Sequence, residues 1–241
     1  RLIQFYLRVL KEDLIDFSET EKRMLQIFQF TLWQKTTEEC GFSNFRDAIL
    51  EVRRNPVLCA ELIALLEYNF SQIDFVDEIV DLGFPCPLDL HCTYSRDQIL
   101  VALDFLRPST IREGVKWLPD KKFDILFVTL NKSDKDYSPT TMYKDYSISD
   151  VLFHWQSQST TSETSITGRR YINHKREDSQ VLLFVREFKT DRISGMAQPY
   201  TYLGLAEYVK HEGSRPMNIT WKLDRPIPAK FLKKTSKLVV G

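Results

Sequence analysis

The sequence predicts an α+β chain: a helical first part, then a mostly β second part folded as a curled sheet or small barrel. Three observations carry this. Up to about residue 115, apolar residues recur at three- and four-residue steps behind N-capping signals. From about Trp117 they gather instead in short runs rich in β-formers. The charge also changes sign: residues 1–120 carry 13 Lys/Arg against 20 Asp/Glu, and residues 121–241 carry 20 against 13. A helical domain over 1–115 and a β domain over 116–241 follow.

The helices announce themselves at their N-termini. In SETEKRMLQIFQFTLWQ, Ser18 and Glu21 stand in capping-box spacing ahead of Met24, Leu25, Ile27, Phe28 and Leu32. In NPVLCAELIALLEYNF, Asn55 precedes Pro56, a cap followed by the one helical position that proline favours. YSRDQILVALDFL repeats the signal with Ser95 and Gln98. Between the last two, DLGFPCPLDL with Gly83, Pro85 and Pro87 interrupts the helices as a sub-boundary.

The strands follow. FDILFVTL (Phe123–Leu130) and VLLFVREF (Val181–Phe188) are continuous apolar runs, the pattern of buried strands. PYTYLGLAEYVKHEG is a strand interrupted at Gly204, where a bulge or corner is expected. MNITWKLDRPI alternates and is ended by Pro226, and LFHWQSQ puts Phe153, Trp155 and Ser157 on one face with His154, Gln156 and Gln158 on the other. TGRRYINHK is a short helix capped by Thr167. About five strands in roughly 110 residues favour a curled sheet over a sandwich.

Composition narrows the function. With 43% hydrophobic and 12% aromatic residues the chain buries a sizeable core. No apolar run approaches the ~18 residues of a membrane span, so no membrane partner is expected. The opening RLIQFYLRVL has neither an initiator Met nor signal-peptide architecture, and is expected to be the start of a C-terminal piece of a longer, cytoplasmic protein. Cys40, Cys59, Cys86 and Cys92 lack zinc-site spacing and are expected as free thiols, with no cofactor. HExxH, GxSxG and a Gly-rich phosphate loop are absent, and Asp134, Asp145 and Asp150 would hold a metal only if the fold gathered them. The fragment is therefore expected to be non-catalytic.

Binding is better supported. Asn131–Asp150 joins two strands by some twenty mostly polar residues that nonetheless include Tyr137, Met142, Tyr143 and Tyr146. Aromatic faces beside hydroxyls, amides and a carboxylate are what a nucleobase pocket needs. Tyr143, Tyr146 or Trp155 are the candidate stacking rings, Asp145 the acceptor for an exocyclic amine, and Gln156, Ser157 and Gln158 the groups for the base edge or the vacated stack. Lys132, Lys144, Arg169, Arg170 and Lys175 are candidates for phosphate contacts, which give affinity without sequence information. The competing possibility is a protein-interaction or helicase-coupling module with non-specific DNA binding.

The stretch TLNKSDKDYSPTTMYKDYSISDVLFHWQSQSTTSETSITGRRYINH, with VLLFVREF and YTYLGLAEYVKHEGSRPMNITWKL, resembles the C-terminal target-recognition domains of SauUSI-like, methylation-dependent type IV restriction enzymes, over roughly residues 85–235. The resemblance implies an SRA-like fold of the PUA-like class that flips a methylated cytosine out of the duplex. It also implies a longer bacterial protein, with phospholipase-D-type nuclease and helicase domains preceding this region and using ATP and Mg. Methylated double-stranded DNA and those domains of the same polypeptide would be the partners.

Overall fold

The computed structural model describes residues 1–13, 16–74, 78–111, 113–131, 145–191 and 193–236. The chain divides into two compact units, one made of Arg1–Leu90 with Arg96–Ile111, the other of His91–Ser95 with Arg112–Gly241. One short segment departs from chain order. His91–Ser95 belongs to the second unit because Thr93 pairs with Thr201 and Tyr94 with Tyr200 across a β-ladder.

The first unit is helical: α1 (Leu2–Lys11), α2 (Glu19–Trp33), α3 (Phe45–Arg53), α4 (Pro56–Ser71) and α5 (Arg96–Ala102). Ser18 and Glu21 form the capping box on α2, and the Asn55 side chain accepts from Leu58 N–H with Pro56 in the first turn of α4. Phe5, Tyr6, Val9, Met24, Leu25 and Phe28 centre its core, where Tyr6 Oη donates to Met24 O at 2.9 Å. By contrast α4, apolar nearly all round, has no buried residue; Val57, Leu65 and Tyr68 stand exposed.

Among the described residues the second unit is a curled sheet of eight strands. These are β1 (Thr93–Tyr94), β2 (Val115–Leu118), β3 (Phe123–Asn131), β4 (Tyr146–Ser147), β5 (Leu152–Gln156), β6 (Gln180–Phe188), β7 (Tyr200–Glu212) and β8 (Asn218–Leu223). They lie in the order β2-β3-β6-β7-β8-β5-β4, with β1 added to β7. Only β3 and β6 run parallel among the described pairs; being buried on both faces, they are the two continuous apolar runs of the sequence. Gly204, at φ +92°, lies where two β7 residues face one on β6 between the pairs Leu182–Leu205 and Phe184–Tyr202, the bulge expected there.

Among the described residues two helices complete this unit. α6 (Ile166–Asn173) is capped by Ser165, whose side chain accepts from Gly168 N–H, two residues before the expected Thr167. The correction has a plain cause: in a run of hydroxyl residues the cap is the one with extended backbone, and Ser165 has it at φ −69°, ψ 156°. α7 (Ala229–Thr235) packs Phe231 and Leu232 against the core. That core gathers Phe153, Trp155, Tyr171, Leu183, Ile219 and Trp221 on one face of the sheet.

Candidate nucleic-acid interface

The edge of the sheet formed by β4, β5, β8 and β7 presents one non-core face. Strand alternation builds it: on β5, Phe153 and Trp155 turn into the core, so Leu152, His154 and Gln156 turn away from it. Register aligns Tyr146 with His154, His154 with Thr220 and Thr220 with Lys210 as a row across four strands. The neighbouring row is Gln156, Asn218 and Glu212.

Within that face Tyr146 and His154 are stacked, centroids 4.7 Å apart and planes 14° from parallel. Asp145, only 7% exposed, accepts Gln156 N–H at Oδ1 over 2.9 Å. Gln156 Nε2 donates to Asn218 Oδ1 at 3.0 Å. A flat aromatic pair, a carboxylate and a primed amide pair thus lie side by side on a rigid sheet. Such a set can stack against a planar heterocycle and hydrogen-bond its edge.

The structure brings together Asp145, Tyr146 and Gln156 of the expected site and separates the others. Trp155 corrects the expectation of a stacking ring. It is 5% exposed and packs edge-on against Tyr171 at 5.5 Å, with Trp221 also beside it, so no base reaches it. Ser157 is fully buried and committed: it accepts Met217 N–H and donates to Gln158 O. Gln158 donates to Glu113 Oε2 at 3.4 Å, outside the stacked row. Tyr143, Lys132 and Lys144 lie outside the described residues.

The basic residues divide in the same way. Arg169 is exposed on α6, as a phosphate contact requires. Lys175 is exposed too and bridges Glu207 at 2.7 Å, a surface pair that a phosphate can replace at small cost; its hydrogen bond holds the Glu207 carboxyl below the usual range. Arg170 is not available, because it forms a two-pronged bridge to buried Asp124 at 2.7 and 2.8 Å. Sequence reasoning put His154 on this face but did not single it out, and passed over Asn218, Thr220 and Lys210. For Asn218 and Thr220 the signal was the alternation of MNITWKL, which fixes which residues of β8 share a face but not what that face meets.

Among the described residues, no group of three His, Cys, Asp or Glu gathers as a metal site, and Asp145 and Asp150 are not brought together as ligands. No helix of the described residues is long and apolar enough to cross a membrane.

Comparison with solved structures gives loose likenesses. Two forms of Arabidopsis thaliana SUVH6 in complex with SAM align at 11% and 14% identity, each with a TM-score of 0.33. In both, the alignment covers 95% of this chain and 39% of that one, so the chain spans well under half of SUVH6. The DNA recognition domain of the cytosine modification-dependent restriction endonuclease LpnPI aligns at 10% identity and a TM-score of 0.32, over 64% of this chain and 75% of that one. Overlaps this loose carry no functional weight. No curated protein matches the sequence. A family model does match, over residues 88–234, which takes in all eight strands, α6 and the whole stacked row. The matched stretch thus carries the candidate site together with α5 of the first unit, and the chain belongs to the family described as "Domain of unknown function (DUF3427)".

Proposed function

We propose that the second unit recognises modified cytosine in duplex DNA by receiving the extruded base on the Tyr146–His154 face, as the non-catalytic reader of a longer restriction enzyme. The observation that carries the reading is the stacked pair itself, on a sheet face next to Asp145 and the Gln156–Asn218 amides. Aromatic stacking supplies affinity for any base, and the amides and carboxylate supply acceptors for an exocyclic amine. The net charge of residues 121–241, with 20 Lys/Arg against 13 Asp/Glu, favours a polyanion. The resemblance to type IV recognition domains narrows the base to a methylated or hydroxymethylated cytosine. Nuclease and helicase chemistry, with ATP and Mg, then belongs to other domains of the same polypeptide.

The test is a titration of matched duplexes, methylated and unmethylated, at one salt concentration. Tyr146→Ala and His154→Ala are each expected to weaken methylated-duplex binding by about 5- to 150-fold, the equivalent of ~1–3 kcal/mol per stacked base. Undiminished discrimination in both folded variants would sink the site assignment. The second reading, a protein-interaction module that holds DNA without regard to modification, is favoured by the exposed apolar residues of α4. Equal wild-type affinity for the two duplexes, with steep salt dependence, would decide for it.

A further inference from the structure

We infer that α7 is a second DNA contact, a row of lysines that grips the phosphate backbone beside the Tyr146–His154 site; the inference rests on the duplex-DNA reading of that site. The helix is amphipathic in a way its seven residues make plain. Phe231 and Leu232 pack on the core and Thr235 is buried, whereas Lys230, Lys233 and Lys234, at steps of three and four, share the exposed side. A lysine row on a surface helix is usually no more than a solvated face. Here its placement argues otherwise.

α7 is fastened to the strand that carries the stacked pair. Ser147 Oγ donates to Thr235 Oγ1 at 2.6 Å, a buried bond, and Ser147 and Ser236 also pair as a parallel β-bridge. Ser147 is the neighbour of Tyr146, so two consecutive residues of β4 hold α7 on one side and His154 on the other. The helix that carries the lysines is thus fastened to the β4 edge, on the opposite side of that strand from His154. Lys234 Nζ lies 3.5 Å from Glu187, and a surface pair of that kind yields readily to a phosphate. Lysine suits the role, since phosphate contacts need charge and reach more than two-pronged geometry.

The experiment is Lys230→Gln/Lys233→Gln/Lys234→Gln in the full 241-residue chain. Duplex affinity would be measured across a salt series on methylated and unmethylated DNA, with far-UV circular dichroism to check the fold. The slope of log K against log[salt] is expected to become shallower by about 2 to 3, roughly 0.9 for each phosphate that a lysine no longer neutralises. Affinity for both duplexes should fall together by about 10-fold or more at moderate salt, the methylated-to-unmethylated ratio staying within about twofold. An unchanged slope and affinity in the folded variant overturns the inference while leaving the base site intact. Loss of binding to the methylated duplex alone also overturns it, because the lysines would then act through the base site. Wild-type protein that binds neither duplex would instead sink the reading on which the inference depends.

Discussion

Arg170 commits its guanidinium to contacts within the protein. Nε and Nη2 donate to the two carboxylate oxygens of Asp124, and the flat of the group lies 4.1 Å from the centre of the Trp117 ring. Side-chain exposures of 13% for Arg170 and 2% for Asp124 make this a largely buried pair. Burial pushes the Asp124 carboxyl above its usual range, and the hydrogen bond and charge of Arg170 pull it back only in part. Removing one partner strands the other's charge away from water. Arg170→Ala is therefore expected to cost about 3–5 kcal/mol in urea unfolding. Arg169→Ala, one residue earlier but exposed, is expected to stay within about 0.5 kcal/mol and to weaken duplex binding instead. An unshifted urea midpoint for Arg170→Ala would remove the structural role. Nothing in the dipeptide told the two arginines apart; only the β3 residue reached by Arg170 does so, and it lies 46 positions away in sequence.

At the scale of elements, one histidine joins α6 to β7. His174 closes the C-terminal end of α6; its Nδ1–H donates to Ser179 O at 3.2 Å, and Nε2 accepts Tyr208 N–H at 3.0 Å. Both ring nitrogens are thus satisfied in the neutral form, and a proton on Nε2 would face a donor. Burial, followed by the Lys175 charge, lowers the His174 pKa below its ordinary value, against the opposing pull of Ser179 O, Glu207 and Asp124. The sign follows. Below about pH 6.5 the unfolded chain takes up a proton that the folded one resists, so stability is lost as pH falls through that value. The urea midpoint is expected to drop between pH 7.5 and 5.5, by up to ~1.4 kcal/mol per pH unit until the folded histidine titrates, and His174→Gln should flatten that drop. An identical pH dependence in the variant would assign the effect to other groups. Elements of this length mark the limit of what pattern can find. Phe123–Leu130 and Val181–Phe188 stand out because parallel strands buried on both faces form continuous apolar runs, and Leu152–Gln156 because one face alternates with the other. β1 and β4 are two residues each, too short to repeat either period, and they are defined by pairing with β7 and β5. Tyr146 of the candidate site sits on one of them, which is why it was found by residue type while its stacking partner His154 was not singled out.

At the scale of the molecule, the chain sorts its charge by unit and its apolar surface differently. Residues 1–120 carry 13 Lys/Arg and 20 Asp/Glu, a difference of −7, and residues 121–241 carry 20 and 13, a difference of +7. This split and the change from helical to strand texture were both legible, since each is a property of composition and period summed over many residues. The α4 surface was not: a run such as PVLCAELIALLEYNF looks like core, and only packing shows that Val57, Leu65 and Tyr68 remain outside. The charge split makes a quantitative demand on DNA binding. If the second unit alone holds the duplex, the cations released on binding are counted by its lysines and arginines. Several cations of the first unit are engaged within it, among them Lys11 with Glu67 at 2.6 Å and Arg54 with Glu51 at 2.6 Å. Lys11→Gln/Arg54→Gln should therefore leave both duplex affinity and the salt slope at their wild-type values, to within about a quarter of the ~0.9 that one neutralised phosphate contributes. A slope shallower by close to 2 would mean that the helical unit also lies on the duplex, and the negative balance of that unit would then have to be arranged away from the phosphates.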